Sequence, residues 1–111
     1  MDKPFSQACE NNRGPILEVL KSLLADKSLV LEIGSGTGQH AVWFAQHMPH
    51  LIWQTSDLLE NHWGIEQWLT SYPSDNLPLP LEFNVFQDKY PAANFDAIFT
   101  ANTAHIMPWQ G

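Results

Sequence analysis

Apolar and polar positions along this chain alternate between helix-like and strand-like runs. Residues 1–14 are polar and irregular, with Pro4 and Gly14 as breakers. From Pro15, a good first-turn residue, Ile16, Leu17, Val19, Leu20, Leu23 and Leu24 recur at spacings of three and four. That spacing predicts a one-sided amphipathic helix. The polar turn 26–28 leads to Leu29–Ile33, whose near-continuous apolarity predicts a strand covered on both faces. A helix-like run follows over 38–47 and ends before Pro49. Leu51–Thr55 reads as a second strand. Asn61–Ser71 reads as a third helix, with Trp63, Ile65, Trp68 and Leu69 on its buried side. After the proline-rich loop 73–80, Leu81–Val85 reads as a third strand. Phe95–Ala101 reads as a fourth, and Asn102–Trp109 begins another loop or helix. Strands alternating with helices predict an α/β domain of parallel strands joined by right-handed crossovers.

Between the first strand and second helix lie three glycines at alternate positions, Gly34, Gly36 and Gly38. Glycines there let the backbone turn tightly and approach a ligand, and the following helix offers free N–H groups. The dinucleotide fingerprint places its third glycine three residues after the second. Here the interval is two, Gln39 fills the expected place, and a nicotinamide dehydrogenase is disfavoured. No Gly-Lys-Ser/Thr follows, which excludes a P-loop. Glu32, two residues before the first glycine, sets the remaining character of the loop. An acid there is tolerated by a ligand with a positive centre and no phosphate. G-x-G-x-G behind an acid resembles motif I of class I S-adenosylmethionine-dependent methyltransferases, and implies Glu32, Gly34, Ser35, Gly36 and Gly38 as cofactor-binding residues.

Other polar residues fall where strands of such a sheet end. Asp57, nineteen residues after Gly38, follows the second strand, where a carboxylate accepts both hydroxyls of a ribose. Taken alone it reads equally well as a helix cap. Asn84 suits an adenine edge, and Val85 packs on the ring. Asn102 and His105 open on the same crevice after the fourth strand. His105 is the candidate general base, since an imidazole titrates near neutral pH. His40 either lines the cofactor pocket or caps the helix.

Composition narrows the partners. The apolar fraction of 44% over 111 residues suits one globular domain. Twelve acids against five bases give a net charge of −7, which repels phosphate backbones and anionic membranes. No nucleic acid and no membrane partner is expected. With one cysteine no intrachain disulfide forms, and no apolar run reaches a membrane span of about 20 residues. No secretory signal opens the chain, so a cytoplasmic location is expected. The five histidines form no helical pair with a carboxylate between, and no metal site is expected.

Four motifs in order carry a more specific resemblance. They are Glu10–Leu17 (ENNRGPIL), Ser35–Ala41 (SGTGQHA), Trp53–Asp57 (WQTSD) and Asn102–Ile106 (NTAHI). Together they resemble the methyltransferase-like protein 26 family, long classed as a domain of unknown function. The resemblance covers nearly the whole chain. It implies a Rossmann-like class I methyltransferase fold, S-adenosylmethionine as cofactor, a small-molecule substrate of unidentified kind, and Asn12 and Arg13 on the substrate or cofactor side. The chain departs from the family pattern at Asn11 (usually Arg), Asn84 (usually Asp) and Thr55 (usually Pro). A class I domain has seven strands, whereas four are readable here. The expectation is therefore the N-terminal, cofactor-binding half, strand order 3-2-1-4, in a single domain truncated after strand four. That strand is expected to be an open edge inviting pairing with another copy. A non-catalytic binding or interaction module with the same fold is the alternative.

Overall fold

The structure is a computed structural model, and it describes residues 5–83 and 95–100 together with the strand backbone of 105–108. The first helix, α1 (Gln7–Leu23), begins eight residues earlier than Pro15. Ser6 caps it, its side chain accepting from the N–H of Cys9. Pro15 therefore lies inside the helix. The polar first half of α1 is held by contacts to the rest of the chain rather than by an apolar face. Its second half buries Leu17 and Leu20.

Strand β1 (Leu29–Glu32) follows, then the glycine loop and α2 (Gln39–His47). The second strand is broken at Thr55 into β2 (Ile52–Gln54) and β3 (Ser56–Asp57). A single tight turn, Leu59–Asn61, leads into α3 (His62–Ser71). Then come β4 (Leu81–Glu82), β5 (Ala97–Thr100) and β6 (His105–Pro108). β1 lies between β2 and β5, parallel to both, with Val30 opposite Trp53 on one side and Ala97 on the other. β3 pairs in parallel with β4, Ser56 opposite Leu81. With β2–β3 counted as one broken strand, the order 3-2-1-4 holds.

The expectation of an open fourth strand fails. β6 pairs antiparallel with β5, Thr100 opposite His105 and Ala97 opposite Pro108. Residues expected as a loop or helix thus occupy the edge through which self-association was expected. Within 102–109, Ile106, Met107 and Pro108 continue an apolar run that satisfies the ladder beside β5. That leaves the backbone groups of β5 no free row to offer.

The core lies between one face of the sheet and α1 and α2. Ala41, Phe44 and Ala45 of α2 and its C-cap residue Met48 recur at three and four and are all buried. They meet Val30, Trp53, Ala97 and Phe99 from three neighbouring strands. Phe44, Trp53 and Phe99 form a triangle of rings with centroids 5.4–5.6 Å apart. Each such ring contributes about 1.5–3 kcal/mol by burial. A second cluster joins Val42 of α2 to Ile65, Trp68 and Leu69 of α3. Trp63, expected on the buried side of α3, is instead 47% exposed.

Candidate active site

The glycine loop has the backbone that its composition allows. Gly34, Gly36 and Gly38 have φ of 69°, 61° and 92°, in the left-handed region that side chains disfavour. Their surroundings differ. A Cβ on Gly36 would meet nothing within 4 Å, so the loop opens there on free space. A Cβ on Gly38 would lie 3.2 Å from the Cα of Ile65 and 3.3 Å from the Cβ of Trp68. Gly38 therefore serves the close packing of the loop on α3.

Asp57 stands across from the open glycine. Its Oδ2 accepts from the N–H of Gly36 at 2.8 Å. Its Oδ1 accepts from the N–H of Leu58 at 2.7 Å and from Nδ2 of Asn61 at 2.9 Å. Asn61 is thus a site residue that sequence reasoning missed, as is His62. The Nε2 of His62 lies 3.0 Å from the carbonyl of Asp57 and 3.1 Å from that of Leu81, fixing the ends of β3 and β4. The spacing Asp57-x-x-x-Asn61 at a helix start was the available signal for Asn61.

Glu32 is not a free carboxylate in the cleft. It is 1% exposed, beneath the loop on the face shared by Trp53 and Phe99. The indole N–H of Trp53 donates to its Oε1 at 3.1 Å. Burial pushes its pKa from the ordinary 4.5 up to about 7, with hydrogen bonds from Trp53 and Ser35 opposing the shift and the nearby Asp57 adding to it. Ser35 also turns inward: its hydroxyl accepts from the N–H of Ser56, and its own N–H donates to the carbonyl of Ser56. The hydroxyl of Ser56 donates to the carbonyl of Glu32. Ser56, another residue not anticipated, thereby locks the loop's base to β3.

His40 follows the loop as the second residue of α2. It is buried, stacks on Phe44 at 5.1 Å, and its Nε2 lies 3.0 Å from Oδ1 of Asn12. Burial lowers its pKa below the ordinary 6.5. Asn12 accordingly joins α1 to α2. Arg13 pairs with Glu10 at 2.9 Å and lies 3.8 Å over the ring of Trp43. It borders a cavity of about 610 Å³ between α1, α2 and α3, rather than the open face of Gly36. Asn84, Val85 and Asn102 lie outside the described residues. His105 is placed by its backbone alone, opposite Thr100 at the C-terminal end of β5. Among the described residues no cluster of three or more metal-ligating side chains occurs, and no helix is long and apolar enough to cross a membrane.

A largely parallel sheet with a strand–glycine loop–helix unit at its centre and an acid at the next strand end defines the Rossmann-like class I methyltransferase fold. Solved structures share it. The S-adenosylmethionine-dependent methyltransferase SibL in its apo form matches with TM-score 0.75 at 19% identity, over 85% of this chain and 27% of its own. Precorrin-6y C5,15-methyltransferase from Geobacter metallireducens matches at 0.67 and 18%, over 81% and 47%. Coclaurine N-methyltransferase bound to N-methylheliamine and S-adenosylhomocysteine matches at 0.66 and 17%, over 89% and 30%. The chain thus spans less than half the length of each of these three proteins. It belongs to the family described as a protein of unknown function, DUF938, whose profile matches residues 3–111.

Proposed function

We propose that this chain carries the S-adenosylmethionine-binding half of a methyltransferase acting on a small molecule. The supporting observation is the pairing of Asp57 with Gly36. A carboxylate is held 2.8 Å from the loop N–H, beside a glycine whose Cβ position is open space. The donor set fits the ligand. Asp57 accepts two vicinal hydroxyls when its Oδ2 exchanges the Gly36 N–H for one of them.

S-adenosylmethionine, when bound, supplies a methyl group for in-line transfer to a nucleophile. The chain's residues act on position and water. Gly36 admits the ligand to the backbone, Asp57 fixes the sugar, and the Ser35–Ser56 lock keeps the loop at the depth that orientation requires. His105 is the proposed base, from its backbone position at the end of β5, one register step beyond Phe99, which lies opposite Glu32. The order of the four motifs ENNRGPIL, SGTGQHA, WQTSD and NTAHI supports the methyltransferase-like protein 26 group as the lineage.

Calorimetry with S-adenosylhomocysteine tests the reading. The parent chain is expected to bind, and Asp57→Ala to weaken binding at least tenfold, since a doubly used charged acceptor is lost. Absence of binding by the parent at millimolar ligand, with Asp57→Ala indistinguishable from it, refutes the assignment.

A further inference from the structure

We propose that the start of α1 is a strap, fastened to the glycine loop by the side-chain amide of Gln39, which couples ligand occupancy to the order of residues 5–12. The coupling to a ligand rests on the function proposed above; the fastening does not.

Gln39 is the first residue of α2, and it is only 3% exposed. Its amide fills all four of its hydrogen-bonding positions. Oε1 accepts from the backbone N–H of Ser6 at 2.5 Å and from the hydroxyl of Thr37 at 3.0 Å. Nε2 donates to the backbone carbonyl of Ser6 at 3.2 Å and to Oε1 of Glu10 at 3.0 Å. The amide therefore pairs with both main-chain groups of one extended residue, as a neighbouring strand would. Ser6 has φ −125° and ψ 118°, so it presents both groups on one side.

Each end of this arrangement has a consequence. On the strap side, the N–H of Ser6 precedes the helix and has no helical acceptor. On the loop side, a buried amide stripped of its partners carries the desolvation penalty of every group left unmade. The strap and Gln39 thus satisfy one another. One residue beyond Gln39, His40 repeats the link, its ring meeting Asn12 across 28 positions of sequence. Thr37 completes the path to the ligand. It sits between Gly36 and Gly38, and its hydroxyl also accepts from the N–H of Gln39 at 3.2 Å. A ligand seated over Gly36 that fixes the loop fixes Thr37, and with it the amide that holds Ser6.

Amide hydrogen exchange on the 111-residue chain reads this directly. In Gln39→Leu, amides of residues 6–12 are expected to exchange at least tenfold faster, while those of β1 and β5 keep the parent rate. Gln39→Glu keeps the size and both acceptor contacts but turns an oxygen toward the Ser6 carbonyl and Glu10. It is expected to release the strap in the same way, and its shape guards against a variant that fails to fold. Ser6→Ala is expected to retain the fastening, because Gln39 grips the main chain. In the parent, S-adenosylhomocysteine is expected to slow exchange over residues 6–12 at least threefold, and in Gln39→Glu its dissociation is expected to quicken about tenfold. Unchanged exchange over 6–12 in both Gln39 variants overturns the strap. Binding of S-adenosylhomocysteine without slower exchange there overturns the coupling. Absence of binding by the parent refutes the proposed function and the coupling together, while the ligand-free comparison still decides the fastening.

Discussion

The indole N–H of Trp53 donates to the carboxylate of Glu32 at 3.1 Å, across two adjacent parallel strands, with both side chains buried. The bond does not offset the desolvation of the acid, whose pKa stands at about 7 against an ordinary 4.5. Folding therefore raises the proton affinity of Glu32. Between these values the folded chain keeps a proton that the unfolded chain has released, so the contribution to stability is full below pH 4.5 and is lost as pH rises through 7. The loss is about 3 kcal/mol. Chemical denaturation of the parent from pH 4.5 to 8 is expected to show this decline. Glu32→Gln, which still accepts from Trp53, is expected to flatten it and to be the more stable protein at pH 8.

The three glycines divide by what lies over them. Gly38→Ala places a Cβ against the backbone of α3 at a φ of 92°, and both the strain and the contact must be relieved. A loss of about 2–4 kcal/mol in unfolding free energy is expected. Gly36→Ala meets open space and carries only the conformational cost of φ 61°, about 1 kcal/mol. Its methyl group enters the cradle, so S-adenosylhomocysteine affinity is expected to fall far more than stability. Thermal melts beside calorimetry separate the two effects.

Thr55 is fully buried, and its hydroxyl has no hydrogen-bond partner. Exchange for valine keeps the branched shape and removes an unpaired polar atom. Thr55→Val is expected to stabilise the chain by about 1 kcal/mol, read as a higher denaturant midpoint with unchanged slope.

Arg13, placed by resemblance on the substrate or cofactor side, pairs with Glu10 and covers Trp43. Arg13→Met is expected to leave S-adenosylhomocysteine affinity within twofold of the parent. A modest fall in stability of about 1 kcal/mol is expected from the lost cation–π contact. A large loss of affinity with unchanged stability would return Arg13 to the site.

The central unit was the most legible part of the sequence, because local composition dictates it. Leu29–Ile33 has no alternative to a buried strand, and alternate glycines have few uses besides a left-handed loop. Asp57 was legible for a similar reason, as an acid at the end of an apolar run. The reach of α1 back to Gln7 was not legible. Its first half carries no apolar stripe, and its support comes from Gln39 and His40, which lie 33 and 28 residues beyond their partners. Local pattern holds no record of such pairings. The same limit concealed β6, since an edge strand of four residues differs little from a loop until its partner is known. The inward orientation of Glu32 was hidden by the neighbour that receives it, Trp53, twenty-one positions away.

The break at Thr55 gives the cradle its shape. Up to Gln54 the second strand runs beside β1; from Ser56 it runs beside β4. The chain forks there, and the glycine loop fills the opening of the fork, with Asp57 on the diverging arm. The width of the opening is thus drawn by main chain rather than by side chains. Evolution can repaint such a notch residue by residue, exchanging one recognised molecule for another, without having to carve it anew.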